Sequence, residues 1–362
     1  MTEKTLDNLV LQMYKNWFSS FEQIFDSLNL NPEPFLNYFE YHRKQSQSFN
    51  LQNIQALKEN LVVERKAYLN SKLNLFIGAS TVLITPLPEI IYSLLLQIPI
   101  NCRISDPLLL PFYEKFKNLA PIELKDFFAF EYWSSNDREL TKQKIKSADC
   151  LIIHGSDQTI KQITELKTEN QIVLGFGHKI SFMLCSFNQD FQDNLANYIN
   201  LIAQDLFAFL QKGCLSAQVI YVLADQESEI LDFCYKLNNE LEKFNWQMQA
   251  SVAFEKFHFI EKTIINQNNK LIGNHIIYST NKAFEYMPIN GMVWVKPLKD
   301  KNLETLDFMP DFLINKIACI GHNLPENEIK KIQNKLNYDF RQCDLGFMQK
   351  TCLFWLQKPS EN

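Results

Sequence analysis

A cysteine can act as a nucleophile only where its thiol is reachable and able to ionise, and of the eight cysteines in the chain Cys214 is the best placed for both. It stands in QKGCLSAQ, between a helical pattern over residues 191–210 and an apolar strand pattern that reaches Leu223. The spacing predicts Gly213 as a helix C-cap and Cys214 on the tight loop that follows, with Ser216 and Gln218 close by. Such a thiol suits acyl chemistry, attack on a carbonyl to leave a thioester on the protein; a buried, inert cysteine is the alternative. Two further segments could serve a reaction. In CLIIHGSDQTIKQI the run Gly155-Ser156-Asp157 falls between a strand and a helix, where free N–H groups and the helix dipole favour an anion. A plain N-cap by Ser156 or Asp157 accounts for the same residues. In IVLGFGHKISFMLC, His178 and Lys179 follow two glycines between two apolar strands, a polar wall for a cleft, or a turn with a histidine bonded to a backbone carbonyl.

These segments need a scaffold that brings them to an edge, and the composition provides for one. At 362 residues the chain exceeds one ordinary core and suits two domains. A net charge of −5 gives no general attraction to nucleic acid or anionic lipid, and an aromatic share of 13% with 29 Phe readily lines apolar cavities. The cysteines form no CxxC pair and do not cluster with the six histidines, which argues against structural zinc or an iron–sulfur cluster and leaves no metal expected. The most apolar stretch, residues 77–100, is interrupted by Pro86, Pro88, Glu89 and Pro99, whereas a membrane span needs about 20 uninterrupted apolar residues. The start, MTEKTLDN, is acidic where a signal peptide is basic, so a cytoplasmic protein with free thiols is expected.

Helical periodicity over residues 5–29 and 51–68 opens the chain. From Lys72 onward short apolar runs alternate with helical stretches. Strands are expected at 73–77, 100–104, 127–132, 150–154 and 171–174, with helices at 89–97, 108–119, 138–146 and 156–166 between them. Further strands at 219–223 and 317–320 and helices at 227–244 and 326–336 follow, with a less regular region up to about residue 300. Strands alternating with helices imply a parallel, doubly wound sheet. No GxGxxG follows any strand, so the usual dinucleotide fingerprint is absent. Of nine glycines, four lie from Gly155 to Gly213, which marks that interval as the place where the chain turns sharply or approaches something closely.

Taken in order, HGSDQTI, GFGHKISF, QDLFAFLQKGCLSAQ and RQCDLGFMQ resemble the acyl-CoA reductase family of bacterial luciferase operons, the LuxC family, within the aldehyde dehydrogenase superfamily. The resemblance implies an α/β fold of the aldehyde dehydrogenase type, a Rossmann-like cofactor domain plus an α/β catalytic domain. It implies an N-terminal helical and nucleotide-binding domain over 1–175, a thiol domain over 176–325 and a C-terminal segment, 326–362, returning to the domain interface. It further implies Cys214 as the acyl acceptor and Gly155 and Ser156 at the turn beside NADPH; His178, by its position in the chain, is the candidate catalytic acid–base. In hydrolysing relatives a water-activating Glu occupies the place of Gly175, so the thioester here would be protected until hydride arrives. The implied reaction is reduction of a fatty acyl thioester, acyl-CoA or similar, to the aldehyde.

The sequence departs from the family pattern at three places. The family's Gly-Asn-hydrophobic-Pro turn reads Gly78-Ala79-Ser80-Thr81, so the oxyanion-binding Asn is missing. Asn101 stands where a Lys would contact the cofactor ribose, with Arg103 as its replacement, and the Trp-x-x-Asp-Gly ending reads Trp355-Leu356-Gln357-Lys358-Pro359. The alternatives are a non-catalytic relative that binds acyl groups or a partner, and an acyltransferase using Cys214 without cofactor. The acyl chain length, the donor (CoA, carrier protein or an acyl-transferring partner protein) and any homo-oligomer are left open.

Overall fold

The computed structural model describes residues 2–64, 71–78, 82–246, 250–298, 303, 306–336 and 340–353. The chain divides into two compact units, Met1–His178 with Thr351–Asn362, and Lys179–Lys350.

The first unit opens with α1 (Glu3–Ser19), α2 (Phe21–Ser27), α3 (Leu36–Ser48) and α4 (Leu51–Glu64). The single helical pattern expected over 5–29 breaks at Ser20, which has left the helical region (φ −111, ψ 8). Leu6, Val10, Met13 and Trp17 recur at helical spacing and are buried, and the Trp17 indole N–H donates to Phe116 O at 2.8 Å. Four βα repeats and a closing strand follow: β1 (Asn74–Gly78), α5 (Pro86–Leu95), β2 (Ile100–Ile104), α6 (Leu110–Leu119), β3 (Phe128–Tyr132), α7 (Arg138–Lys146), β4 (Cys150–His154), α8 (Asp157–Thr164) and β5 (Ile172–Phe176). The sheet order is β3-β2-β1-β4-β5, with all pairings parallel. All five residues of the central β1 are buried, whereas β2 alternates buried and half-buried positions, as strands covered on both faces require at the centre of a parallel sheet.

The second unit contains β6 (Ile180–Ser186), α9 (Gln189–Asp193), α10 (Leu195–Phe207), β7 (Ala217–Leu223), α11 (Glu227–Leu241), α12 (Ala250–Ile264), β8 (Asn269–Ile272), β9 (Ile276–Ser279), β10 (Val293–Pro297), α13 (Asp311–Ile314), β11 (Ile317–His322), α14 (Glu326–Leu336) and β12 (Arg341–Asp344). Its seven strands run in the order β12-β11-β6-β7-β10-β9-β8, and β8 alone among the paired strands is antiparallel, to β9. The region expected to be irregular before residue 300 thus holds a helix, a hairpin and a central strand. Its core joins Phe182, Leu184, Val219, Tyr221 and Trp294 from the strands to Ile329 and Ile332 of α14. Among the described residues no helix is long and apolar enough to cross a membrane.

Candidate active site

The helix before Cys214 is shorter than its sequence pattern. It ends at Phe207, and Ala208 is extended (φ −52, ψ 134). Phe209, Leu210 and Gln211 then take φ of 54, 53 and 58 in succession, a left-handed turn that costs side-chain-bearing residues on the order of 1 kcal/mol each. Gly213 lies outside the left-handed region, so the expected C-cap is corrected: the reversal is made by the three residues ahead of the glycine. What holds it is the buried Gln211 amide. Its nitrogen donates to Ala217 O at 3.0 Å and Met292 O at 2.8 Å, and its oxygen accepts from Gly291 N at 2.7 Å.

This reversal delivers Cys214 to the corner of a turn closed by Ser216 N donating to Gly213 O at 3.0 Å. Ser181 Oγ on β6 holds the Cys214 carbonyl at 2.8 Å, and the residue itself is exposed. Although the residue as a whole is exposed, burial of its sulfur pushes the thiol up to about 11, opposed by the backbone N–H groups of Cys214 and Leu215 and by the Lys179 charge. Below that pKa the thiolate fraction grows with pH, so alkylation of Cys214 by iodoacetamide is expected to rise about tenfold per pH unit from 7 to 9. Lys179→Met should make it slower at every pH. Peptide-resolved mass spectrometry measures both, and a plateau near pH 7 would contradict the raised pKa.

A second loop braces the turn. Gly346, at φ +87 with Leu201 only 2.7 Å from where a Cβ would stand, turns the chain after β12. The buried Asp205 carboxylate on α10 accepts from Gly346 N at 2.7 Å and Met348 N at 3.2 Å. Burial lifts this carboxyl to about 6, against the N–H groups of Met348, Gly346 and Gln349 and the Lys350 charge. Gln349 Nε2 reaches Ser216 Oγ at 3.2 Å, inside the Cys214 turn, and Arg341 donates to Met348 O at 2.6 Å and Lys350 O at 3.1 Å. The QDLFAFLQKGCLSAQ and RQCDLGFMQ segments are thereby joined through Asp205 and Gln349, residues that the sequence reading quoted without assigning a role.

In the first unit the order of strands reverses between β1 and β4, and the C-terminal ends of those strands are where a parallel sheet binds ligands. Gly78 and His154 are paired there. Gly155 follows, its N–H donating to Phe176 O at 3.2 Å, and the exposed Ser156 caps α8 by accepting from Thr159 N at 3.1 Å. His178 is exposed, with its backbone N–H on Asp157 Oδ1 at 3.0 Å. Arg103, at the same end of β2, donates from Nε and Nη2 to Trp133 O at 3.3 and 3.1 Å. Asn101 is half-buried in mid-strand, beside Leu75. Two residues had no place in the sequence reading. The Nε2 of His154 is buried without a hydrogen-bond partner among the described residues, and the buried Glu89 stands 3.8 Å from it. Their signal was an acid and a histidine in otherwise apolar runs.

Residues 74–283 match the model of the LuxC family of acyl-CoA reductases, well over half of the 362-residue chain. The chain belongs to the LuxC acyl-CoA reductase family. Among individual proteins, it is 31% identical over 114 residues to the long-chain acyl-protein thioester reductase 2 of Photobacterium leiognathi, a match covering 31% of this chain and 22% of that protein. The fold is shared with aldehyde dehydrogenases. Aldehyde dehydrogenase 21 of Physcomitrella patens, in complex with succinate, superposes with a TM-score of 0.65 at 10% identity over 96% of this chain and 79% of its own. A salicylaldehyde dehydrogenase of Pseudomonas putida G7 gives 0.63 at 12% identity over 94% and 77%. The LuxC match spans Arg103, Gly155, Ser156, His178 and Cys214. It ends before Arg341 and Gln349. Of the three departures from the family pattern, the Asn loss at Ala79 and the ending at Lys358 lie outside the described residues.

The strand ends of this LuxC-family chain fit a nicotinamide dinucleotide in kind. They supply a guanidinium at Arg103, an imidazole at His154 facing Glu89 and an exposed serine at a helix start. The Gly155 position is tight, because a Cβ there would stand 3.3 Å from Thr159. Gly175 lies within β5, paired with Ile153, and a Cβ would meet Ile160 of α8 at 2.8 Å. A glutamate is therefore unwelcome there for packing reasons alone.

Proposed function

We propose that the protein reduces a fatty acyl thioester, acyl-CoA or a similar carrier thioester, to the aldehyde through an acyl group held on Cys214, with NADPH as reductant. The observation that carries this reading is the exposed thiol at the corner of a braced turn in a chain of the LuxC family. The thiolate attacks the acyl carbonyl, the carrier thiol leaves, and a thioester remains on Cys214. The N–H groups of Cys214 and Leu215, which oppose the rise of the thiol's pKa, would serve as donors to the developing oxyanion; losing one such donor costs on the order of 3 kcal/mol. NADPH, when bound, would supply the hydride for reduction of the Cys214 thioester. Arg103 would hold the ribose end and the Gly155-Ser156 turn the remaining phosphates. His178 would accept the hydroxyl proton as the thiohemiacetal breaks down and return it to the departing Cys214 sulfur.

The deciding assay is purified protein with a panel of acyl-CoAs, NADPH absorbance followed in time. Calorimetry should also show NADPH binding in the micromolar range, and Gly155→Val should abolish it, since a larger side chain blocks backbone approach. An absence of binding by NADPH and NADH alike would remove the reductase reading. His178→Gln should lower turnover about a hundredfold with acyl-CoA affinity unchanged; equal turnover would return His178 to a turn role. The raised pKa of the Cys214 thiol together with the departures from the family pattern at Asn101 and Ala79 favours a second reading, a relative that binds acyl groups without accepting them. Acylation of Cys214 distinguishes the two.

A further inference from the structure

Beneath the loop that braces the Cys214 turn lies a pair of thiols. Cys319 on β11 and Cys343 on β12 have their Sγ atoms 3.7 Å apart. The register pairs Cys319 with Arg341 and Gly321 with Cys343, so these four residues share one face of the sheet, two positions apart along each strand. The Arg341 guanidinium touches both sulfurs, Nη1 lying 3.8 Å from Cys319 and 3.5 Å from Cys343. Burial pushes the Cys319 thiol well above its ordinary range, and the Arg341 charge works against that rise. Cys319 is fully buried while Cys343 is half-buried, and β12 is the edge strand of its sheet, so a small oxidant meets Cys343 first.

We infer that Cys319 and Cys343 form a redox-active dithiol that closes to a disulfide in the presence of a hydroperoxide or a small-molecule disulfide, loosening the Arg341 clamp on the loop that touches the Cys214 turn. With a hydroperoxide, the Cys343 thiolate attacks the O–O bond, gains one oxygen as a sulfenic acid and releases water or an alcohol. The Cys319 thiol then attacks that sulfur, the S–S bond forms and a second water leaves. The two thiols lose two electrons and the peroxide gains them. Closure brings the sulfurs about 1.6 Å nearer, from 3.7 Å to a bond of about 2.05 Å. A disulfide carries no negative charge that could hold the guanidinium, and the sulfurs must shift from their present places beside it. The same Arg341 Nη1 carries Met348 O at 2.6 Å, and Met348 packs so closely over Gly321 that a Cβ there would meet it at 2.8 Å. A shift of the pair is therefore felt by the loop, and through Gln349 by Ser216.

The test uses the full chain equilibrated in buffers of rising glutathione disulfide to glutathione ratio, then trapped with an alkylating reagent. Intact mass should show the loss of two hydrogens, and peptide mapping should place the bond between Cys319 and Cys343. Cys343→Ser should lack that species, and Cys343→Ala serves as a second variant. In the oxidised protein, alkylation of Cys214 should slow by about fivefold, the equivalent of one hydrogen bond lost from the turn. Molecules glutathionylated on Cys214 are resolved by mass and left out of the rate. Neither readout requires acyl reduction, so failure here and failure of the reductase reading are separable. A pair that stays reduced at every ratio, or yields only a glutathione adduct on Cys343, overturns the dithiol. A disulfide with an unchanged Cys214 rate overturns the coupling.

Discussion

Cys214→Ala is expected to leave a folded protein that still binds NADPH and can no longer take up an acyl group or produce aldehyde. The wild-type chain given acyl-CoA without NADPH should accumulate the acyl adduct, because no hydride is present to discharge it. Intact mass reports the adduct, and peptide mapping should place it on Cys214. Of the other thiols, Cys102, Cys150, Cys185, Cys234 and Cys319 are buried, and burial raises the pKa of Cys102, Cys185, Cys234 and Cys319. The adduct should also persist. Position 175 lies in a strand where Ile160 leaves no room for a water-activating side chain, so hydrolysis lacks its usual base. Adding NADPH should then release aldehyde in equal amount. A wild-type protein that remains unacylated with short and long chains, from CoA and carrier-protein donors alike, would sink the enzyme reading in favour of a non-catalytic relative.

The second large effect is expected at Asp205, which no direct contact with substrate recommends. Asp205→Ala strands the buried N–H groups of Gly346 and Met348, at a cost of about 3 kcal/mol, and frees the loop that carries Gln349. Urea unfolding should record the loss, and acylation of Cys214 should slow at temperatures where the variant is still folded. Asp205→Asn preserves an acceptor and separates charge from geometry. The native carboxyl titrates near 6, above the unfolded value of about 3.9, so the folded state binds the extra proton between those limits. Its contribution to stability therefore falls as pH rises from about 4 to 6 and is level above. Measured against the wild type, the Asn variant should gain stability through that window and no further. A difference independent of pH would mean that Asp205 is not the titrating group.

Much of the first unit could be read from residue order because its information is local. Short unbroken apolar runs such as Cys150–Ile153, spaced between helical stretches, read as buried strands, and the helices between them carry their own caps. Asp137 accepts from Leu140 N at 3.0 Å and Ser156 from Thr159 N at 3.1 Å, as their types and positions suggest. The region before residue 300 was less legible. Its α12 mixes Phe254 and Phe257 with charge on exposed positions, and so lacks a clean apolar face. Its hairpin did leave a signal, Gly273-Asn274 between Ile272 and Ile276.

By itself the sequence determined the alternation of strand and helix, the family, and the cysteine most open to chemistry, since composition, period and motif are all properties of neighbouring residues. It also carried an expectation that the tertiary structure reversed. Gly213 was the obvious place for a left-handed residue, yet Phe209, Leu210 and Gln211 adopt that conformation. Local preference opposes it, and the three hydrogen bonds of Gln211 to Ala217, Met292 and Gly291 outweigh that preference. Only the fold could make the bracing of the Cys214 turn by Gln349, the pairing of Cys319 with Cys343, and the clamp of Asp205 on Gly346. Each joins residues whose separation in sequence, from 24 to 141 positions, erases any periodic signal, and each depends on which strands the sheet sets side by side.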